Sequence, residues 1–236
     1  MIRVNKLLNK DVWDTVCDDP SCGEFRVEIK PEVRKALLRI AYDFLESLDP
    51  KMKFTDITLT GSMANYNYTD QSDLDLHVLF DFDAEGESGD LIQDLFNAKR
   101  RIWNDGHDIK VRDHDVELYA QDTNEPHHST GVFSVLRNKW LVVPHRTNPE
   151  IDEEYVLKKS QDIMDRIDFL VDLEDKRSSL QSTKDKIMKM RKAGLERKGE
   201  FAEENLIFKT LRNTGYIGKL NDIIRNEYDR SVSLDQ

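Results

Sequence analysis

Two short apolar segments restrict the fold of this 236-residue chain more than any other feature. The segment FTDITLT (54–60) alternates apolar and polar residues and ends in Gly61 and Ser62, whereas LDLHVLF (74–80) begins directly after Asp73. Alternation with a period of two is typical of β-strands, and Gly-Ser indicates a break. The two segments therefore predict consecutive strands joined by a polar loop.

The surrounding N-terminal half mixes helical and strand patterns. Apolar residues at helical spacing predict a helix over 31–48, and GDLIQDLFNAKRRIWNDG predicts another helix that ends at Gly106. The segment HDIKVRDHDVELYAQ alternates on both sides of a polar turn, and GVFSVL and KWLVVP predict a final strand or pair before Pro144.

From about residue 148 onwards the pattern is helical alone, with Gly194 and Gly215 as expected stops or bends. We therefore predict an α+β protein: a mixed β-sheet with flanking helices in residues 1–147, and an α-helical domain in residues 148–236. The first of these later helices carries a predicted apolar stripe of Ile151, Tyr155, Ile163, Ile167, Leu170 and Leu173.

Composition favours a soluble globular protein, since 34% of residues are charged and 38% are hydrophobic. No window approaches the ~18 apolar residues needed to span a bilayer, so we expect a cytoplasmic protein without a membrane partner. Cys17 and Cys22, the only cysteines, are expected to be reduced thiols. A bridge between them, or half of a zinc site, is the alternative.

Charge is distributed unevenly along the chain. The net charge of -11 makes a long nucleic acid an unfavourable partner. Asp70 to Glu125 contains 16 acidic and 5 basic residues, whereas Lys176 to Lys198 contains 9 basic and 2 acidic residues. Cations are expected near the first region and an anionic ligand near the second, although an ordinary solvated helix face explains the basic region equally well.

The paired aspartates suggest a specific chemistry. Alternate side chains of a strand share a face, so Asp73 and Asp75 should project together and repel each other unless a cation lies between them. Mg²⁺ is usually held by one or two carboxylates plus substrate phosphates. Upstream, Gly61 lets backbone N–H groups approach an anion, and Ser62 can begin a short helix. Further neutral donors, or residues that hold the loop, are Asn65, Thr69 and Ser72.

These residues resemble the nucleotidyltransferase superfamily that includes DNA polymerase β. The motif is most similar to small bacterial nucleotidyltransferases of the minimal and aminoglycoside-modifying type, which read Gly-Ser-x-Ala-Arg-Gly and then Ser-Asp-Ile/Leu-Asp-Leu. Here the matching stretches are GSMANY (61–66) and SDLDL (72–76), with the same number of intervening positions. Asn65 and Tyr66 stand where those relatives carry Arg and Gly.

The resemblance implies a nucleotidyltransferase fold, a nucleoside triphosphate as substrate, and two Mg²⁺ or Mn²⁺ ions. The implied catalytic and metal-binding carboxylates are Asp73, Asp75 and a third on a later strand, where Glu117 fits best. Asp115 shares its strand face and is the alternative. The implied leaving group is pyrophosphate.

The helical half offers candidate triphosphate contacts. Relatives often use a Lys or Arg from this domain, and Lys209 and Arg212 share one helix face with Asn205. A solvated face is the alternative here too. His127 and His128, on a polar loop, are either exposed or near the substrate. Segment 191–216 also resembles nucleotidyltransferase-like proteins of tailed phages.

The leading functional hypothesis is thus an enzyme that moves an NMP group from an NTP to an acceptor hydroxyl. The acceptor stays open among a small molecule, a protein, a second nucleotide and an RNA end such as that of tRNA. The alternative is a catalytically degenerate nucleotide-binding module or an antitoxin-like protein.

Overall fold

The computed structural model describes residues 5–17, 25–48, 53–83, 89–125, 129–146, 149–174 and 176–234. The chain divides into two compact units, Ile2–Thr147 and Asn148–Gln236. Across the described ranges, no helix combines the length and the apolar character that a membrane crossing requires.

The first unit begins with an antiparallel hairpin and continues into a sheet with two helices. Its elements are β1 (Trp13–Cys17), β2 (Arg26–Ile29), α1 (Pro31–Glu46), β3 (Phe54–Thr60), a 3₁₀ turn (Ser62–Ala64), β4 (Leu74–Phe80), α2 (Gly89–Gly106), β5 (Lys110–Val111), β6 (His114–Asp122), β7 (Val132–Ser134) and β8 (Lys139–Val142).

The six-stranded sheet has the order β5-β6-β4-β3-β7-β8. Strands β4 and β6 are parallel neighbours joined through α2 and β5, and all other neighbouring pairs are antiparallel. The sheet is therefore mixed, and the general prediction of an α+β protein is confirmed.

The two faces of the sheet differ in character. On β4, Leu74, Leu76 and Val78 are fully buried and belong to the main hydrophobic core with α1. The residues between them, Asp75 and His77, point to the other face and are half-buried. One strand thus supplies both the core and a polar surface.

The N-terminal hairpin is an element that the sequence patterns did not predict. Trp13 stacks on Trp140 of β8 with ring centroids 4.6 Å apart, and its indole N–H donates to the Met63 carbonyl at 2.8 Å. Cys17 is disulfide-bonded, which differs from the expected reduced thiol. Cys22, the only other cysteine in the chain, lies outside the described residues.

The second unit contains α3 (Glu153–Val171), α4 (Arg177–Lys198), a 3₁₀ turn (Gly199–Phe201), α5 (Glu203–Asn213) and α6 (Tyr216–Val232). The apolar stripe predicted for α3 is wrong at Tyr155, which is 48% exposed, and at Leu173, which is 37% exposed and lies beyond the end of the helix. The buried face runs through Val156 and Met164 instead. Gly194 does not end a helix. It is buried inside α4, where a Cβ atom would lie 2.8 Å from the Glu204 Cβ.

Candidate functional site

The centre of the candidate site is a pair of carboxylates on neighbouring strands. Asp75 of β4 and Glu117 of β6 are direct partners in the parallel register, just as Leu74 pairs with Val116. Partners in adjacent strands project to the same face, so both carboxylates lie side by side on the polar face of the sheet. Both are half-buried.

The other two predicted carboxylates lie next to this pair along the chain. Asp73 is half-buried and immediately precedes β4, which begins at Leu74. Asp115 is exposed and forms an ion pair with Lys110, 3.1 Å away on β5. Of the two alternatives for a third carboxylate, the geometry therefore favours Glu117.

Gly61 fits closely against Asp75. It follows β3 with φ 70° and ψ −160°, a backbone conformation that is essentially restricted to glycine. A Cβ atom at this position would overlap Oδ2 of Asp75 and lie 2.8 Å from its Cγ. The absence of a side chain thus leaves the space that the carboxylate occupies.

A cluster of aromatic and polar side chains extends the polar face beyond the carboxylates. The Tyr119 ring stacks on His77 with centroids 4.6 Å apart, and the Arg100 guanidinium of α2 lies 5.0 Å from the Tyr119 ring centroid. His77 Nδ1 donates to Gln121 Oε1 at 2.6 Å. These contacts fix three side chains from two strands and one from a helix.

Tyr119 remains protonated in this setting. Burial raises the pKa of its hydroxyl most, followed by the negative charges of Asp75 and Glu117, and the hydroxyl donates toward Glu117. The positive charge of Arg100 lowers this pKa, but by less than burial raises it. Tyr119 can therefore donate a proton in a hydrogen bond near the carboxylates, but it cannot act as a base.

The polar residues of the connecting loop are engaged within the loop and its surroundings. Ser72 is buried, and its hydroxyl accepts from the Thr69 backbone N–H at 2.9 Å. Asn65 is 1% exposed, donates to Thr130 Oγ1 and accepts from the Tyr66 N–H. Asn65 and Ser72, which the sequence predicts as nucleotide contacts, therefore order the loop.

The remaining predicted nucleotide contacts are distributed over both units. Ser62 begins the short 3₁₀ turn directly after Gly61 and is half-buried. Lys209 is half-buried and Arg212 is exposed, and both lie on α5 of the helical unit. His127 and His128 lie outside the described residues.

The donor set suits a divalent cation bound through oxygen. Asp73, Asp75 and Glu117 all offer carboxylate oxygens, the ligands that Mg²⁺ and Mn²⁺ prefer. Within the part of the chain that is described, no three acidic, histidine or cysteine side chains form a group that could hold a metal ion. Mg²⁺ usually takes only one or two carboxylates and completes its coordination shell with water and phosphate oxygens. Asp75 and Glu117 therefore match Mg²⁺ in the number and the chemical type of their ligand groups.

Comparison with protein-family models, with curated proteins and with solved structures found no match. The sequence interpretation missed Arg100, Tyr119, His77 and Gln121. The sequence indicates Tyr119, His77 and Gln121 only through their alternation, which places them on the same strand face as Asp75 or Glu117. No sequence pattern indicates Arg100, because its position depends on how α2 packs.

Proposed function

We propose that this protein is a metal-dependent nucleotidyltransferase that transfers an NMP group from a nucleoside triphosphate to an acceptor hydroxyl. The main support for this proposal is the strand register, which places Asp75 directly opposite Glu117 on parallel strands. A Gly-Ser turn borders the same carboxylates, with Gly61 closely fitted to Asp75. A nucleotidyltransferase of the kind that the motif resembles needs both parts at one place.

Each residue has a role that follows from its type and position. Asp75 and Glu117 would hold the divalent cation, with Asp73, which directly precedes β4, as a further carboxylate beside the site. When bound, the cation would supply positive charge against the triphosphate and lower the pKa of a bound hydroxyl. Glu117 can also accept the proton of the acceptor hydroxyl, because its carboxylate is half-buried on the same face. Tyr119 orients that carboxylate by donation.

A cation from the same unit can contact the substrate. The Arg100 side chain lies over Tyr119, its Nε is buried, and within the described residues that atom has no hydrogen-bond partner. A guanidinium group suits phosphate oxygens because it offers several donors in a fixed plane. We assign Arg100 as a phosphate contact, together with the backbone around Gly61 and Ser62.

A degenerate nucleotide-binding module is the second candidate. It is favoured by Asn65 and Tyr66, which occupy the positions where the resembled relatives carry Arg and Gly. Both are 1% exposed, and the Asn65 amide is engaged with Thr130. A module of this kind would bind the metal-bound nucleotide without releasing pyrophosphate.

The test uses purified protein with each NTP labelled at the α-phosphate, Mg²⁺ or Mn²⁺, and lysate fractions of small molecules, RNA and protein. Wild type is compared with Asp75→Asn, Glu117→Gln and the matched control Asp115→Asn, which removes an exposed carboxylate from the same strand. We expect labelled acceptor and pyrophosphate with wild type and Asp115→Asn, and a loss of about 100-fold in the other two variants.

Three other outcomes would change the proposal. Nucleotide binding by wild type without any pyrophosphate above the Asp75→Asn level would favour the module over the enzyme. Neither binding nor turnover with any NTP would contradict both proposals. A larger loss in Asp115→Asn than in Glu117→Gln would exchange the roles of these two carboxylates.

A further inference from the structure

A groove of about 290 Å³ lies between α3 and α4 within the helical unit. Each helix contributes four residues spaced i, i+3, i+4 and i+7, a spacing that brings side chains onto one face. The groove is therefore formed by two matching helix faces. Its lining consists of Lys159, Asp162, Ile163 and Arg166 from α3, and of Thr183, Lys186, Ile187 and Met190 from α4.

The floor of this groove is apolar. Ile187 is 3% exposed, and Ile163 and Met190 are half-buried beside it. The one polar group at this depth, the Thr183 hydroxyl, already donates to the Ser179 carbonyl at 2.9 Å. A ligand that reaches the floor therefore gains by presenting a hydrocarbon or ring surface rather than a hydrogen-bonding group.

The rim of the groove is cationic. Lys159, Arg166 and Lys186 are exposed there, against the single carboxylate of Asp162. Across the described residues, none of these three cations has a carboxylate oxygen within 4.0 Å, the limit for an ion pair. Other basic side chains of the same unit are paired, as Lys176, Arg197, Lys198 and Lys219 show.

We propose that this groove binds a small amphiphilic anion in which one phosphate is attached to a planar ring, the chemistry that nucleoside monophosphates and aryl phosphates share. The ring would lie on Ile163, Ile187 and Met190, and the phosphate would meet the cations of the rim. The volume of about 290 Å³ lies just below the ~300–1,000 Å³ range of small-molecule pockets. The groove shares no residue with the carboxylate pair, and the inference does not depend on the proposed nucleotidyl transfer.

Isothermal titration calorimetry on the full chain tests the site with 1-naphthyl phosphate, inorganic phosphate, 1-naphthol and AMP in separate titrations. We expect 1-naphthyl phosphate or AMP to bind at least about tenfold more tightly than inorganic phosphate or 1-naphthol, because only the joined molecule uses both floor and rim. The tighter of the two identifies the ring that the groove accepts. No measurable binding of either compound would overturn the proposal, as would equal affinity for 1-naphthol.

A matched pair of variants locates the binding. Lys159→Gln/Lys186→Gln removes two rim cations, whereas Lys158→Gln/Lys192→Gln makes the same charge change at exposed positions of the same two helices outside the groove. We expect about a tenfold loss of affinity in the first double variant and less than about twofold in the second. Equal losses would show that only general charge attraction is at work and would overturn the proposal. Circular dichroism verifies that both variants are folded.

Discussion

The Asn104 side chain of α2 makes two hydrogen bonds to the backbone of Leu118 in β6. Its Nδ2 donates to the Leu118 carbonyl at 2.9 Å, and its Oδ1 accepts from the Leu118 N–H at 3.2 Å. Strand β5 pairs only with His114 and Asp115, so it does not reach this far along the edge of β6. The amide thus takes the place of a neighbouring strand, one residue away from Glu117.

Replacing this amide should weaken the sheet edge. Asn104→Ala leaves the Leu118 N–H and carbonyl without their partner, at a cost of about 1–3 kcal/mol in the free energy of unfolding. Asn97→Ala is the control, since Asn97 lies on the same helix, is half-buried and has no side-chain hydrogen bond within the described residues. Urea unfolding of both variants measures the difference, and an equal change in midpoint would contradict the assignment.

Gly61→Ala should displace Asp75 without changing any charge. Gly199→Ala is a closely matched control, because Gly199 has φ 68° and ψ −153° against 70° and −160° at Gly61, and has nothing within 4 Å of the added Cβ. Both variants should lose about 1–3 kcal/mol of stability through backbone strain. Only Gly61→Ala should also lose the proposed pyrophosphate release, by at least about tenfold.

The measurement for this pair is activity at a temperature where both variants are fully folded by circular dichroism. Full activity in Gly61→Ala would mean that the Asp75 carboxylate has no part in the reaction. Loss of activity in Gly199→Ala to the same degree would instead attribute the effect to general strain.

Tyr119→Phe should separate the orienting role of the hydroxyl from the packing of the ring. The phenyl ring can keep the stack on His77, whereas the donor toward Glu117 is lost. Removal of such a supporting donor typically weakens metal binding by about 10–100-fold. Titration of Mn²⁺ in the presence of a nucleotide measures this, with Tyr42→Phe on α1 as the control. Unchanged Mn²⁺ affinity in Tyr119→Phe would contradict the role.

Asp168 should make the helical unit sensitive to acid. Lys219 Nζ donates to it at 2.6 Å and the Tyr216 hydroxyl at 2.7 Å, and these bonds lower the pKa of its carboxyl below the ordinary 3.8. The unfolded chain therefore binds the proton more readily than the folded one. The contribution of Asp168 to stability is complete above the ordinary pKa and is lost as the pH falls through the lowered value.

The corresponding measurement compares Asp168→Asn with wild type. At pH 7 the variant should unfold at lower urea concentration than wild type. The difference should shrink as the pH falls below the ordinary carboxyl pKa of 3.8 and through the lowered pKa of Asp168. Asp162→Asn, an exposed aspartate of the same helix, is the control. A difference that stays constant with pH would contradict the linkage.

The elements around the site were predictable because their periodicity is strong. Strands β3 and β4 and helices α1 and α2 appear close to the expected limits, since apolar alternation or helical spacing continues through each of them. The hairpin of β1 and β2 was missed because each strand is short and polar residues interrupt the pattern. The prediction that Gly194 ends a helix is wrong, because glycine is common at helix ends but here lies inside α4 and allows close contact with Glu204.

The arrangement of the site itself was only partly predictable. Spacing along one strand indicates that Asp75 has a carboxylate neighbour at Asp73. The partner opposite it, Glu117, comes from a parallel strand that follows an intervening helix, and parallel register is determined by how that helix packs. Sequence alone could therefore name Glu117 and Asp115 as alternatives, and only the register shows which one faces Asp75.

Residues Leu74 to Val78 of β4 alternate strictly between the core and the polar face, and this restricts how the length of the strand can change. Inserting or deleting one residue between Leu74 and Phe80 would rotate every later side chain to the opposite face. A change placed before His77 would turn His77 into the core and expose Val78, and so would damage folding and the site in a single event. Variation in length among functional versions of this chain should thus fall in the connecting loops, while the span of β4 keeps a constant number of residues.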